Sequence, residues 1–270
     1  MNLKQFIKRT LKQILIKNGY EVYRKHYYDF NSDESIQKIL KSAKVDMSKV
    51  TVLDVGANVG QSVDRFRRYL PDAYIYSFEP NPTTFETLRN KQETDTRLKC
   101  FNFGIGAEKA VLPFFVNPDS GSNSFYKLNL DGEAFKLSNT EEARKNHNLT
   151  TLKQEVGYNT EVKIPVETLN SFCATEGLDS IDILKIDTQG YELEVLKGAT
   201  EILSKTLIVE AEVMFSDAYE QTASLGEIES LMRKYGFVLW EIPYIGKFAT
   251  EDVNRINFVD IHFVNISLLN

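Results

Sequence analysis

The sequence predicts an α/β protein built on a mostly parallel sheet with helices on both faces. Three observations carry this expectation. From residue 51 onward, short β-branched runs alternate with helical stretches, the pattern of βαβ units. Several runs stop at glycine or proline, where a strand turns into a helix. The last two runs have no clear helix between them, so they are expected to pair antiparallel.

The elements follow in order. Leu3, Phe6, Ile7, Leu11, Ile14 and Leu15 recur at three- and four-residue spacing, an amphipathic helix over 3–18 that Gly19 stops. A polar helix is expected over 32–43. Residues 51–55 form the first strand, ending in Asp54-Val55-Gly56, and 60–70 a helix. The second strand, 74–78, stops at Glu79-Pro80-Asn81-Pro82. Asn81 is placed to cap the next helix and Pro82 to begin it, running to about 91. A third strand over 98–103 is closed by Gly104 and Gly106. Residues 110–116 add a strand or hairpin. Residues 127–160 are polar and weakly periodic, an insertion or lid. Beyond it come an extended run (162–166), a helix (167–175), a buried strand (181–186) and a helix (190–203). A strand (206–213), a helix (224–235) and strands over 237–241 and 256–266 complete the chain. The predicted division is an N-terminal helical appendage, 1–49, and one domain, 50–270.

Composition removes several function classes. Hydrophobic residues make up 42% of the 270, enough for a sizeable core, and 26% are charged, as in ordinary globular chains. The net charge of −6 argues against a general nucleic-acid binder. The charge is uneven. Residues 1–28 hold Lys4, Lys8, Arg9, Lys12, Lys17, Arg24 and Lys25 against Glu21 alone, so the remainder is more acidic than the total. The basic helix either touches an anionic membrane surface or packs on the domain with a solvated basic face. Cys100 and Cys173 form no framework, and three dispersed histidines (His26, His147, His262) disfavour a zinc site. No metal is expected. No apolar run reaches the length of a membrane span, and no signal peptide is legible. A cytoplasmic protein is expected, peripheral at most at the inner membrane face.

Two clusters point to chemistry. The first is Asp54-Val55-Gly56-Ala57-Asn58-Val59-Gly60, where a strand turns into a helix. Such a loop offers backbone N–H groups, and its glycines let a ligand come close. Ligands of open α/β sheets bind at the carboxyl ends of strands, near the switch in strand order. Glu79, at the end of the next strand, is placed to accept two hydrogen bonds from a ribose diol. A nucleoside-containing cofactor follows. The spacing is not the dinucleotide fingerprint, and no Gly-Lys-Ser/Thr makes a P-loop. An NAD-dependent oxidoreductase survives on these features but fits the loop poorly. A non-catalytic nucleoside-binding module is a third reading.

The second cluster interrupts strands that should be apolar. Lys185 and Asp187 share one face of their run, as do Glu210 and Glu212 of the next. Lys185 needs a partner and is expected to pair with one of the two glutamates. Asp187 and Glu212 are expected nearest the crevice. The group suits deprotonation of a hydroxyl. A buried ion-pair network or a magnesium site are the other readings. His262 is a further candidate base, more simply a structural histidine. Tyr20, Tyr23, Tyr27 and Tyr28 either border an acceptor cleft or pack in the core. Cys100 and Cys173 are expected to be small packing residues.

Together these stretches resemble the FkbM family of S-adenosylmethionine-dependent methyltransferases. The carrying motifs are DVGANVG (54–60), SFEPNP (77–82), the Gly104-Ile105-Gly106 turn, GSNS (121–124), VETLNSF (166–172), LKIDTQGYELEVLKGA (184–199) and IVEAE (208–212). They span roughly 50–265, and the 184–199 segment is the specific one. Gln189 stands where relatives often carry Glu. The resemblance implies a Rossmann-like, seven-stranded methyltransferase sheet with an antiparallel last strand. It implies that Gly56, Ala57, Asn58 and Gly60 hold the methionine part and ribose of S-adenosyl-L-methionine, and Glu79 the ribose hydroxyls. Asp54, Pro80, Asn81 and Gly104 complete the expected cofactor set. It further implies O-methyl transfer to a hydroxyl of a sugar, glycan intermediate or secondary metabolite. Asp187 is then the first candidate base, Glu212 the second, with Lys185 beside them. Ser122, Asn123 and Ser124 are expected to contact cofactor or acceptor, the alternative being a plain turn.

Overall fold

The computed structural model describes residues 30–139, 152–248 and 255–269. The chain divides into two compact units, Met1–Phe30 and Asn31–Asn270, and the described residues belong almost wholly to the second. The amphipathic helix over 3–18, the four early tyrosines, His26 and His147 lie outside the described residues, as does the middle of the expected insertion.

Ten strands are described. Seven form one sheet: β1 (Thr51–Val55), β2 (Tyr74–Phe78), β3 (Leu98–Phe101), β7 (Ile181–Ile186), β8 (Thr206–Met214), β9 (Phe237–Lys247) and β10 (Ile256–Asn265). Their order is β3-β2-β1-β7-β8-β10-β9. Neighbours from β3 to β8 are parallel, and β10 runs antiparallel to both β8 and β9. This is the mostly parallel sheet with an antiparallel final strand. The strand order reverses at β1, which lies between β2 and β7, so the crevice opens beyond the carboxyl ends of β1 and β7.

Helices cover both faces. On one side α1 (Phe30–Ser42), α2 (Gln61–Tyr69) and α3 (Pro82–Gln92) contribute Ile36, Leu40, Val63, Phe66 and Leu88 to a core with Val52, Ile75, Ile183 and Ile208. The contacts of α1 bring the packed unit ahead of the boundary expected at residue 50. On the other side, α5 (Leu169–Glu176), α6 (Glu192–Lys197) and α7 (Leu225–Lys234) pack Phe172, Leu196 and Met232 against Leu53, Leu184 and Val209. Cys173 is buried there, and Cys100 is half-buried in the first core; both are free thiols. Local signals act as read: Asn81 Oδ1 accepts from Thr83 N with Pro82 opening α3, and Ser224 and Glu227 form a capping box on α7.

A second sheet is new relative to the sequence reading. β4 (Gly104–Ile105), β5 (Ala110–Val116) and β6 (Thr160–Glu167) pair in the order β4-β6-β5. The run over 110–116 is therefore one partner of a long-range antiparallel pair, Ala110↔Val166 to Val116↔Thr160. Phe114, Val116, Ile164 and Val166 join the core beneath it. Another difference lies after Gly190, where the long helix expected over 190–203 is the short α6 followed by a turn and a 3-10 segment, Ile202–Lys205. Between β5 and β6, a short 3-10 turn at Ser120–Ser122 and α4 (Glu133–Ser138) precede the undescribed part of the insertion.

Candidate active site

The glycine loop works differently from the expectation. Four of its N–H groups are already bonded: Gly56 N and Ala57 N donate to Phe78 O (3.1 and 2.9 Å), Asn58 N to Glu79 Oε2 (2.9 Å) and Gly60 N to Ala57 O (2.8 Å). Gly56 is needed for packing. Its φ is +83°, and a Cβ there would stand 1.9 Å from the Asp187 carbonyl oxygen. The close approach presses the exit of β7 against the exit of β1 and so fixes Asp187 beside the loop. Gly104 likewise makes room for Phe125. Asn58, with φ +49°, turns its Oδ1 to accept from Ser120 Oγ at 2.8 Å.

Glu79 is buried at the end of β2. Each carboxylate oxygen accepts one backbone N–H, from Asn58 and Asn81, both at 2.9 Å. Burial pushes its acid up to about 7, against the pull of those two donors. Pro80 O accepts from Asn102 Nδ2 (3.1 Å), and Asn81 Nδ2 donates to Gln154 Oε1 (2.6 Å). Asp54 is fully buried, accepts from Ser77 Oγ at 3.2 Å and lies 3.5 Å from Lys185 Nζ. Burial raises its acid first of all, with Lys185 opposing.

Lys185 has partners that sequence reasoning did not assign to it: Asp54 at 3.5 Å and Asp187 at 3.3 Å. Glu210, its register neighbour on β8, is instead held by two nitrogens of Arg65 from α2 and by His262 Nε2 at 3.2 Å. Asp33 of α1 approaches the same guanidinium at 3.3 Å. His262 also meets Glu241 through Nδ1 at 2.8 Å. The strand register aligns Ser77, Asp54, Lys185, Glu210, His262 and Glu241 in one row across six strands. Both ring nitrogens of His262 face carboxylates inside this row, which suits a structural histidine.

One step nearer the carboxyl ends lies a second row, Asp187, Glu212 and Asp260. Asp187 is a third exposed and Glu212 half-buried. Burial, then Asp187, Asp260 and Glu192, hold the Glu212 acid well above the usual carboxylate range, and Lys185 opposes them. Burial first, and neighbouring carboxylates next, push Asp260 up to about 7. Glu192, at the start of α6, accepts from Thr188 N, Thr188 Oγ1 and Gly190 N. Burial brings its acid to about 7 as well.

The GSNS stretch straps the two sides together. Ser120 reaches Asn58, while Ser124 Oγ donates to Gln189 O (2.9 Å) beyond β7. Asn123 Oδ1 accepts from Asn117 N (2.8 Å), and the Asn123 amide nitrogen is buried without a hydrogen-bond partner. Ser122 Oγ donates to Asp119 O (2.7 Å), and its carbonyl, 3.2 Å from the Tyr219 hydroxyl, shares that group's one proton with Gln189 Oε1. Two residues escaped sequence reasoning as site members. Tyr219, in the loop after β8, and Gln189 join the strap to the carboxylates. Gln189 lies within the 184–199 motif, but nothing in the sequence assigned it a role.

The chain matches the methyltransferase FkbM domain over residues 54–239, more than half its length. It belongs to that family. It is a methyltransferase, and its cofactor is S-adenosyl-L-methionine. The nicotinamide and non-catalytic readings give way to this one. Among curated relatives, 2-O-methyltransferase NoeI of Sinorhizobium fredii is 28% identical over 76% of this chain and 83% of its own. Methyltransferase sdnD of Sordaria araneosa is 30% identical over 69% and 73%. The hexuronic acid methyltransferase AglP of Haloferax volcanii is 24% identical over 66% and 60%. The donor set of the methyltransferase fits its cofactor in two ways. Glu79 has lone pairs left for a diol after bonding two backbone N–H groups. The crevice is also rich in carboxylates, which suits a sulfonium cation.

Proposed function

We propose that the methyltransferase places a methyl group on a hydroxyl of a sugar, glycan intermediate or secondary metabolite, with Asp187 as the general base. The observation that carries this reading is the Asp187–Glu212 pair at the carboxyl ends of β7 and β8, beside the glycine loop. The activities of two relatives, 2-O-methyl transfer and hexuronic acid methylation, support the substrate class.

Bound S-adenosylmethionine supplies an activated methyl group. Glu79 holds the ribose hydroxyls, and Asn58 and the rest of the 54–60 loop shape the floor beside it. Asp187 would accept the acceptor hydroxyl proton, raising that oxygen's nucleophilicity as the new C–O bond forms and the methyl–sulfur bond breaks, with S-adenosylhomocysteine as the leaving group. The remaining requirement is orientation and exclusion of water. The Ser120–Ser124 strap and Tyr219 meet it by closing over the crevice. Lys185 donates to Asp187 at 3.3 Å and so helps to hold its carboxyl in place.

Calorimetry with S-adenosylmethionine, S-adenosylhomocysteine and NAD tests the cofactor. Methyl-labelled cofactor offered with a panel of free and lipid-linked sugars tests the acceptor. Label recovered as a sugar methyl ether is expected. Absence of binding by both sulfur nucleosides sinks the reading. The basic segment 1–28 is proposed to bring the enzyme to an anionic membrane. Vesicles of anionic lipid that fail to bind the full chain refute that part alone.

A further inference from the structure

Asp187 and Glu212 stand on neighbouring strands, and one side chain bonds both. Gln189 Nε2 donates to Asp187 Oδ1 at 3.0 Å and to Glu212 Oε1 at 2.6 Å. Its Oε1 accepts from the Tyr219 hydroxyl at 3.0 Å. A reversed amide puts its oxygen against two carboxylates, so the hydroxyl and the carboxylates together fix the orientation. The backbone is held as tightly. Gln189 is left-handed, with φ +56°, and Gly190 follows at +98°. Such a conformation is strained in a non-glycine residue and persists only where surroundings enforce it. Here Ser124 Oγ donates to the Gln189 carbonyl, and Tyr219 is 5% exposed beneath the strap.

We propose that Gln189 is a positioning residue: its amide, oriented by Tyr219, ties Asp187 and Glu212 into one unit and fixes both carboxyls at the strand ends. The inference rests on the reading of Asp187 as the base. The charged and titratable groups facing the unit are Lys185, Asp54, Glu79, Asp260, Glu192, Tyr219, Tyr244 and Asp119. Burial and the surrounding carboxylates hold the Glu212 acid well above the usual carboxylate range, while Lys185 and the Gln189 amide both donate to Asp187.

Replacement by an acid of the same shape gives a specific signature. In Gln189→Glu the introduced carboxyl meets two other carboxyls, so it must keep a proton to donate at all, and it then bonds only one of them. Gln189→Leu removes both donors.

The test is a carbon-13 NMR titration of the Asp187 and Glu212 carboxyls in the full chain without ligand, assigned with Asp187→Asn and Glu212→Gln. In Gln189→Leu the Asp187 midpoint is expected to rise by about one pH unit, through loss of a donor to its charged form. Gln189→Glu is expected to add one carboxyl that stays protonated at neutral pH and to raise the Asp187 midpoint less. Tyr219→Phe, which frees the amide to turn, is expected to move Asp187 in the same direction by a smaller step. The proposal is overturned if Gln189→Leu leaves both titrations at wild-type positions. It is overturned equally if the introduced carboxyl ionises like an exposed one. Should Gln189→Leu not fold, the isosteric Gln189→Glu and Tyr219→Phe variants decide the matter by the same readout. Failure of the wild-type chain to bind S-adenosylhomocysteine strikes the proposed function instead and leaves the titration readable.

Discussion

Two polar rows cross the same face of the sheet one step apart, and their charges are handled in opposite ways. In the inner row Glu210 sits between Arg65 and His262 and is held well below the ordinary carboxylate range, with Arg65 and His262 overcoming burial. In the outer row Glu212, two residues on, is held well above that range by burial and by Asp187. The inner row resembles a structural ion-pair network, where removing one partner strands a buried charge. The outer row keeps carboxylates in excess, which is the way a site for a cation and a proton is built.

Several substitutions sharpen or break this contrast. Glu210→Gln is expected to destabilise the fold by ~3–5 kcal/mol in urea denaturation, because Arg65 and His262 lose their countercharge. Glu212→Gln is expected to leave stability unchanged or higher, since it mimics the protonated form. Similar losses from both erase the distinction between the rows.

The pH dependence comes next. Burial disfavours the His262 cation, but the hydrogen bonds its ring donates to Glu210 and Glu241 outweigh it and lift the group from 6.5 to about 9. Folding therefore favours the protonated ring. Its stabilisation is fully present below pH 6.5 and is lost as pH rises through about 9. The expected loss is ~3 kcal/mol across that window, and His262→Gln should flatten it in thermal melts. A melt profile unchanged by the substitution removes His262 from the inner row's account. The smallest effect is expected at Glu79. Glu79→Ala should weaken S-adenosylhomocysteine binding by ~1.5–3 kcal/mol, the range of a hydrogen bond to a charged group. An unchanged dissociation constant takes the ribose role from it.

Much of the frame is legible in the sequence because it depends on local pattern. The β-branched runs at β1, β2, β7 and β8 declare themselves, and so do the Asn81–Pro82 start of α3 and the helix-free link before β10. The pairing of β5 with β6 is not legible, because a polar insertion separates partners that carry no mutual signal. The glycine loop stands out in the sequence, but its bonding does not. That Gly56 faces the Asp187 carbonyl depends on how two strand exits dock. The polar residues of both strands stand out, yet the partners of Lys185 and Glu210 depend on register and on Arg65, which looks in sequence like an ordinary helix cation. Gln189 is hidden for the same reason: its hub position needs β8, the strap and Tyr219 all in place.

The most direct test of the outer row is Asp187→Asn, measured twice on the same preparation. Calorimetry reads its affinity for S-adenosylhomocysteine, and labelled S-adenosylmethionine reads methyl transfer to an acceptor that the wild-type enzyme modifies. The account predicts an unchanged dissociation constant with transfer lost. Wild-type transfer, or loss of affinity in step with transfer, contradicts it.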